Sequence, residues 1–272
     1  MIRIRIVLYK ISFLLFLGMI VRPANAQLTI GARALGMGQA GTGMPADHWA
    51  LFNNPALATN AEKAVGFYGI RNYGFPELTD LAAAGSLPTR YGTALLGIHR
   101  YGDELFNKTR ARLGYKNEWR NLHAGIVLNY SHIAFGGDYG SGGALGVDLG
   151  IAAELTDGLW LGARSININR PKYQGIREDL YRDMALGLSY QLNERALFAL
   201  DTVKDVRYPV SYRGGVEILV IESLKGRVGV STKPMTYSFG FGYSALRWQI
   251  NMVVQRHQLL GLSPGLDLVT FF

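Results

Sequence analysis

The residue types that do chemistry are present in this chain, but their spacing does not assemble them. The five histidines, His48, His99, His123, His132 and His257, lie far apart, and none has metal-ligand spacing. Cysteine is absent, which excludes disulfides and thiolate metal sites. Serine, histidine and aspartate all occur, yet no G-x-S-x-G elbow presents a nucleophile. Gly36-Met37-Gly38-Gln39-Ala40-Gly41 matches G-x-G-x-x-G. A dinucleotide site needs a strand before that motif and a βαβ unit around it. Neither is legible here, so glycine used for close packing is the better account. The expectation is a protein with no catalytic residue, no metal and no cofactor.

The charged residues form a second pattern. Arg110, Arg112, Lys116, Asp148, Glu154, Arg164, Arg213, Glu217, Arg227, Lys233 and Asp267 stand singly in runs of alternating character. With a side-chain period of two, they fall on one face of their strands. Charges on an enclosed face must be paired or solvated. The spacing predicts a salt-bridged network lining a narrow lumen, which holds an inserted segment through Arg33 and Asp47. The alternative is a polar path for a solute.

The elements that must position these residues are strands, preceded by one stretch of different character. Residues 1–26 carry a basic start, an apolar run from Ile11 to Val21 and Ala24-Asn25-Ala26 before Gln27. That reads as a secretory signal peptide, and its apolar run is too short for a spanning helix, which needs ~20 residues. Removing Arg3, Arg5, Lys10 and Arg22 from 28 Lys+Arg against 20 Asp+Glu leaves a net charge of +4. No basic stripe is present, so no nucleic-acid partner is expected. Residues 32–59 are rich in Gly and Ala and contain Asp47-His48-Trp49 and Asn53-Asn54-Pro55-Ala56. Pro55 ends the apolar patch from Trp49 to Phe52, and asparagine side chains can bond the local backbone in a turn. That turn either anchors the segment to a wall or is an ordinary helix stop.

From Lys63 onward, turn residues separate fourteen candidate strands: 63–71, 79–87, 91–100, 107–117, 120–131, 143–155, 157–169, 182–192, 195–204, 210–221, 223–233, 235–244, 246–257 and 264–272. In the twelfth, Tyr237, Phe239, Phe241 and Tyr243 oppose Ser238, Gly240, Gly242 and Ser244. The polar face is largely Gly, Ser, Ala and isolated charges, which suits a crowded lumen better than a soluble surface. Strands of this length suit a tilted membrane crossing of ~9–11 residues, and in lipid the sheet has to close. Alternate connections are tight, among them Thr156-Asp157-Gly158 and Asn193-Glu194, while the others include long loops near Gly136 and Arg170. An even strand count with this asymmetry places both termini in the periplasm, and the last strand ends on Phe272. Trp119 and Trp248 fall at the predicted periplasmic edge.

Two stretches carry a family likeness. Gly31 to Gly38, then Ala46-Asp47 and Ala50 to Leu57, resemble the N-terminal plug of the long-chain fatty-acid transporter (FadL) family and of the PorV/PorQ barrels of Bacteroidetes type IX secretion. His257 to Ser263 is similar to the turn before the last strand in the PorV-like group. The resemblance implies an all-β, fourteen-stranded outer-membrane barrel with a hatch inside it. The expected organisation is a signal peptide at 1–26, a hatch at 27–62 and a barrel at 63–272. Hatch residues are then Arg33, Gly36, Gly38, Asp47, Trp49, Asn53, Asn54 and Pro55. The resemblance gives an accessory barrel of a protein-secretion machine, with outer-membrane lipid and another envelope complex as partners. The alternative is passive passage of a small hydrophobic compound. Short, Gly- and charge-rich outer loops favour the first.

Overall fold

The computed structural model describes residues 29–137, 140–176 and 179–272, so the expected signal peptide lies outside the described residues. The strands are β1 (Ala64–Arg71), β2 (Thr79–Thr89), β3 (Gly92–Gly102), β4 (Phe106–Trp119), β5 (Leu122–Phe135), β6 (Ser141–Thr156) and β7 (Leu159–Ser165). They continue as β8 (Asp183–Asn193), β9 (Ala196–Asp205), β10 (Ser211–Ile221), β11 (Leu224–Thr232), β12 (Met235–Ser244), β13 (Trp248–His257) and β14 (Gly261–Phe271). Each pairs antiparallel with its chain neighbours, and β1 closes the ring on β14, with Tyr68 opposite Asp267. Closure leaves no open strand edge, which is what a sheet surrounded by hydrocarbon requires.

Burial alternates along the strands in the sense opposite to a water-soluble protein. In β12 Phe239 and Phe241 point outward and are 59% and 60% exposed, while Thr236 and Ser238 are buried inside. The outward surface is mainly apolar, with its few charges at strand ends, and this ordering is stable where lipid replaces water. Short connections gather at one rim, the turn rim: 90–91, 120–121, 157–158, 194–195, 222–223 and 245–247. The opposite, loop rim carries the longer ones, 72–78, 136–140 and 166–182 among them. Trp119 and Trp248 stand at the turn rim, 69% and 39% exposed.

The fourteen expected segments are the fourteen strands, with shifted ends, the largest shifts being in β5, which runs to Phe135 instead of 131, and in β7. β7 ends at Ser165 instead of 169, because Asn167 adopts φ of 54° and turns the chain out of the extended conformation. Asn169 then stands in for the missing strand: its Oδ1 accepts from Val147 N at 2.9 Å and its Nδ2 donates to Leu145 O at 2.9 Å. β14 begins earlier, at Gly261. Lys233 is not a lumen residue but an exposed turn residue, since β11 stops at Thr232 and Pro234 has no N–H to continue the ladder.

Candidate functional site

The lumen is occupied by the chain's own N-terminal segment. Among the described residues its one α-helical turn, α1 (Ala32–Gly36), packs against β11 to β14, and a 3₁₀ turn at Pro55–Leu57 packs against β4 to β6. Leu35, Met37, Met44 and Leu51 are fully buried, each contributing roughly 1.5–3 kcal/mol of apolar burial. Gly31 adopts φ 103°, and a Cβ there would stand 2.6 Å from Trp49 Cδ1. The wall makes room in the same way. Inward glycines meet the segment's backbone at Gly125 by Pro55, Gly162 and Gly187 by Thr42–Gly43, and Gly215 and Gly229 by Met37–Gly38, and meet its side chains at Gly97 and Gly114 by Leu51 and Gly150 by Asn54–Pro55. A Cβ on Gly215 would lie 2.5 Å from Met37 Cα, and one on Gly125 2.6 Å from the Pro55 carbonyl carbon.

Irregular backbone inside a barrel needs hydrogen-bond partners, and the wall's side chains supply them. Asp267 Oδ2 accepts from Ala32 N at 2.7 Å, and Asp201 Oδ2 accepts from Gly41 N and Thr42 N, both at 2.9 Å. Arg112 donates to Leu51 O at 2.9 Å, Lys116 to Ala58 O at 3.0 Å, Arg164 to Asn53 O at 3.2 Å and Ser189 to Gly43 O at 2.7 Å. Asn54 Nδ2 donates to Thr42 O at 2.7 Å and to the wall carbonyl of Ile151 at 3.2 Å, while its Oδ1 caps the 3₁₀ turn.

The charges form separate clusters instead of one network. Glu217 takes Arg33 bidentately, at 3.0 Å to Nε and 3.0 Å to Nη2, with Arg227 Nε at 2.6 Å and Lys225 Nζ at 3.4 Å. Arg112 pairs with Asp148 at 3.4 Å, and Arg164 with Asp183 at 3.0 Å. Arg213 leans on the segment, at 3.4 Å from Thr29 Oγ1, and Arg110 is buried opposite His99. Glu154 joins none of these clusters: it lies at the turn-rim end of β6, where its carboxylate accepts from Gly158 N at 3.1 Å. Asp47 also differs from the expectation, because it does not reach the wall. Its oxygens accept from Trp49 N at 3.0 Å and Asn53 Nδ2 at 2.8 Å, so it folds the segment on itself. Burial pushes its carboxyl up, and burial together with Arg33 pushes the adjacent His48 down to about 4. A polar cavity of about 170 Å³ opens at the turn-rim side of α1, between Arg33, His48, Trp49, Lys225, Gln249 and Asn251.

Above the segment, toward the loop rim, the lumen is polar on most sides. His99 Nε2 lies 2.6 Å from Asp80 Oδ1, and Asn72 donates to the other oxygen at 2.7 Å. One side is different. The β7–β8 loop turns inward and sets Tyr173 and Leu180 against Ile133 and Ala144, with Phe106, Phe135 and Ile176 packed around them. Phe106 and Phe135 rings stand 5.4 Å apart, and Tyr101 meets Phe106 edge-on at 6.3 Å.

Of the residues picked from sequence, the structure brings together Arg33, Glu217 and Arg227, and separately Arg112 with Asp148. Gly36 and Gly38 lie against β10 to β12, and Trp49 stacks near Tyr68 at 5.7 Å. Asp201, Asp183, Ser189, the Asp80–His99 pair and the inward glycines were not singled out. Alternation holds for them too: Leu197, Ala199, Asp201, Val203 and Asp205 are all buried along β9.

No family model matches the chain, and no curated protein matches it. Solved structures do. The toluene transporter TodX of Pseudomonas putida aligns with TM-score 0.70 at 14% identity, over 91% of this chain and 100% of that one. The monoaromatic hydrocarbon channel CymD aligns with TM-score 0.68 at 12% identity, over 90% and 98%. A FadL homologue of Pseudomonas aeruginosa aligns with TM-score 0.59 at 14% identity, over 90% and 98%. At these identities the likeness is one of fold: this chain has the closed fourteen-stranded architecture of FadL-like outer-membrane barrels.

Proposed function

We propose that this protein is a non-enzymatic outer-membrane barrel that passes a small hydrophobic compound, with residues 29–62 acting as a hatch. The observation that carries the reading is the aromatic and aliphatic cluster of Phe106, Phe135, Ile133, Tyr173, Ile176 and Leu180 at the mouth of an otherwise polar lumen. Ile133, Tyr173 and Leu180 are buried within this cluster, and its partly exposed members Phe106, Phe135 and Ile176 offer a hydrophobic solute its first dry contact. The likeness to two hydrocarbon channels supports the same class of solute. Short turns at one rim and long loops at the other support periplasmic termini, with the mouth outside.

A second reading is an accessory barrel for another envelope protein, favoured by how completely the hatch is held. Backbone from Ala32 to Ala58 is bonded to wall side chains on strands from β4 to β14. The two readings separate on affinity purification from gently solubilised outer membranes, with mass spectrometry of proteins and small molecules. The channel reading expects the barrel alone with a bound hydrophobic compound. Stoichiometric recovery of a second envelope protein without such a compound would overturn it in favour of the accessory role.

A further inference from the structure

Charge on the outward face of the barrel is distributed in one way only. Among the described residues, the outward strand positions carry four charged side chains, Arg71 on β1, Arg100 on β3, Lys204 on β9 and Arg256 on β13, and all four are exposed. Among the described residues no strand carboxylate takes an outward position: Asp80, Asp148, Asp183, Asp201, Asp205, Glu217 and Asp267 point into the lumen, and Glu118 and Glu154 share the inward parity at the turn-rim ends of β4 and β6. Each of the four closes an outward column at its loop-rim end: Val65 and Phe67 below Arg71, Leu96 and Ile98 below Arg100, Phe198 and Leu200 below Lys204, Met252 and Val254 below Arg256. At the turn-rim ends of the same strands the basic residues Lys63, Arg90, Arg195 and Arg247 lie just outside the strand bounds, in the connections, and not on the outward columns. Glu77, Asp103 and Glu104 lie in loops beyond the strand ends, outside the wall itself.

Three of the four fall on one side. The sheet order runs β13, β14, β1, β2, β3. Arg256 stands opposite Leu262, while the Ile70–Gly265 pair sets Arg71 one step beyond, level with Pro264. Arg71 is opposite Thr79, and Arg100 opposite Leu81. Each neighbouring pair is therefore two strands and two residues apart, roughly 12 Å from strand spacings of ~4.8 Å and a rise of ~3.4 Å per residue. Long flexible side chains on such a lattice reach a shared multivalent anion, their stems lying on the apolar wall and their heads at the headgroup level.

We infer that Arg71, Arg100 and Arg256 form a docking patch for the phosphate groups of an anionic glycolipid in the leaflet at the loop rim. The proposal rests on the outer-membrane reading for its choice of lipid, and on the geometry above for its location. Basic residues just beyond an apolar band bind anionic headgroups additively, and the absence of outward carboxylates leaves no internal competitor on the wall.

The test uses the folded full-length mature barrel in neutral detergent, titrated with purified lipopolysaccharide and separately with phosphatidylglycerol, with bound lipid read by native mass spectrometry. The triple variant Arg71→Gln, Arg100→Gln, Arg256→Gln is compared with a turn-rim control, Arg90→Gln, Arg120→Gln, Arg247→Gln. Retention of the heat-modifiable folded band shows that both variants still form barrels. The expected result is at least about tenfold weaker lipopolysaccharide binding in the first variant and wild-type binding in the control. Equal weakening in both variants, or none in either, would overturn the patch. Preference for phosphatidylglycerol over lipopolysaccharide would overturn the glycolipid assignment. Solute uptake and membrane fractionation read the outer-membrane channel separately, so its failure is distinguishable from failure of the patch.

Discussion

Glu217 shows how one lumen residue ties the hatch to the wall, since it meets Arg33 from the hatch together with Arg227 and Lys225 from β11. Glu217→Gln keeps the shape but strands three cations around a neutral amide. Removing one partner of a buried pair costs about 3–5 kcal/mol, and a fall in the thermal midpoint of the purified barrel checks this. Asp201→Ala leaves the Gly41 and Thr42 amides without their acceptor, at about 1–3 kcal/mol. Hydrogen exchange at those two amides should speed up while β-strand amides stay protected. His48 offers a pH signature. Its folded pKa lies near 4 against 6.5 for the free side chain, so the unfolded chain takes up the proton first. Acidification from pH 6.5 to about 4 therefore weakens the hatch, and stability is fully restored above 6.5. Asp47, whose carboxyl is raised by burial, works in the opposite direction. The measurement is the difference in melting profile between wild type and His48→Gln across that window, which should narrow the acid loss.

At the scale of elements, the hatch and wall are matched backbone to glycine. Gly215→Val places side-chain atoms on the Met37 backbone, so the hatch has to leave its seat while the fourteen strands still close. A folded, heat-modifiable band with a newly protease-sensitive N-terminus is the expected outcome. This matching also explains what the sequence could and could not reveal. Strand number, the alternation and the two rims were legible because a lipid-facing column of Tyr237, Phe239 and Phe241 opposite Ser238 and Gly240 admits one arrangement. The hatch anchors were less legible. Asp47 looked like a wall contact and instead bonds Trp49 and Asn53, because nothing local says which partner is nearer once the chain folds back. Asp201 was passed over although its position in β9 is inward, since a lone aspartate in an apolar strand shows its acceptor role only beside the Gly41–Thr42 amides. The early end of β7 turns on a positive φ at Asn167, which asparagine permits without requiring.

For the whole molecule, the polarity is radial and vertical at once. Lipid-facing columns are apolar, the lumen is polar and filled, the loop mouth holds the one buried aromatic cluster described there, and outward charge is basic at that same rim. On the proposed function, this arrangement lets a small hydrophobic compound across. That function is tested most directly by the initial uptake rate of a radiolabelled monoaromatic hydrocarbon in cells that make the wild-type barrel, a Phe106→Asp, Phe135→Asp mouth variant, or neither. The account predicts a rate several-fold above background for wild type and close to background for the mouth variant, at equal amounts of folded barrel. Background uptake with the wild-type protein correctly inserted would contradict it.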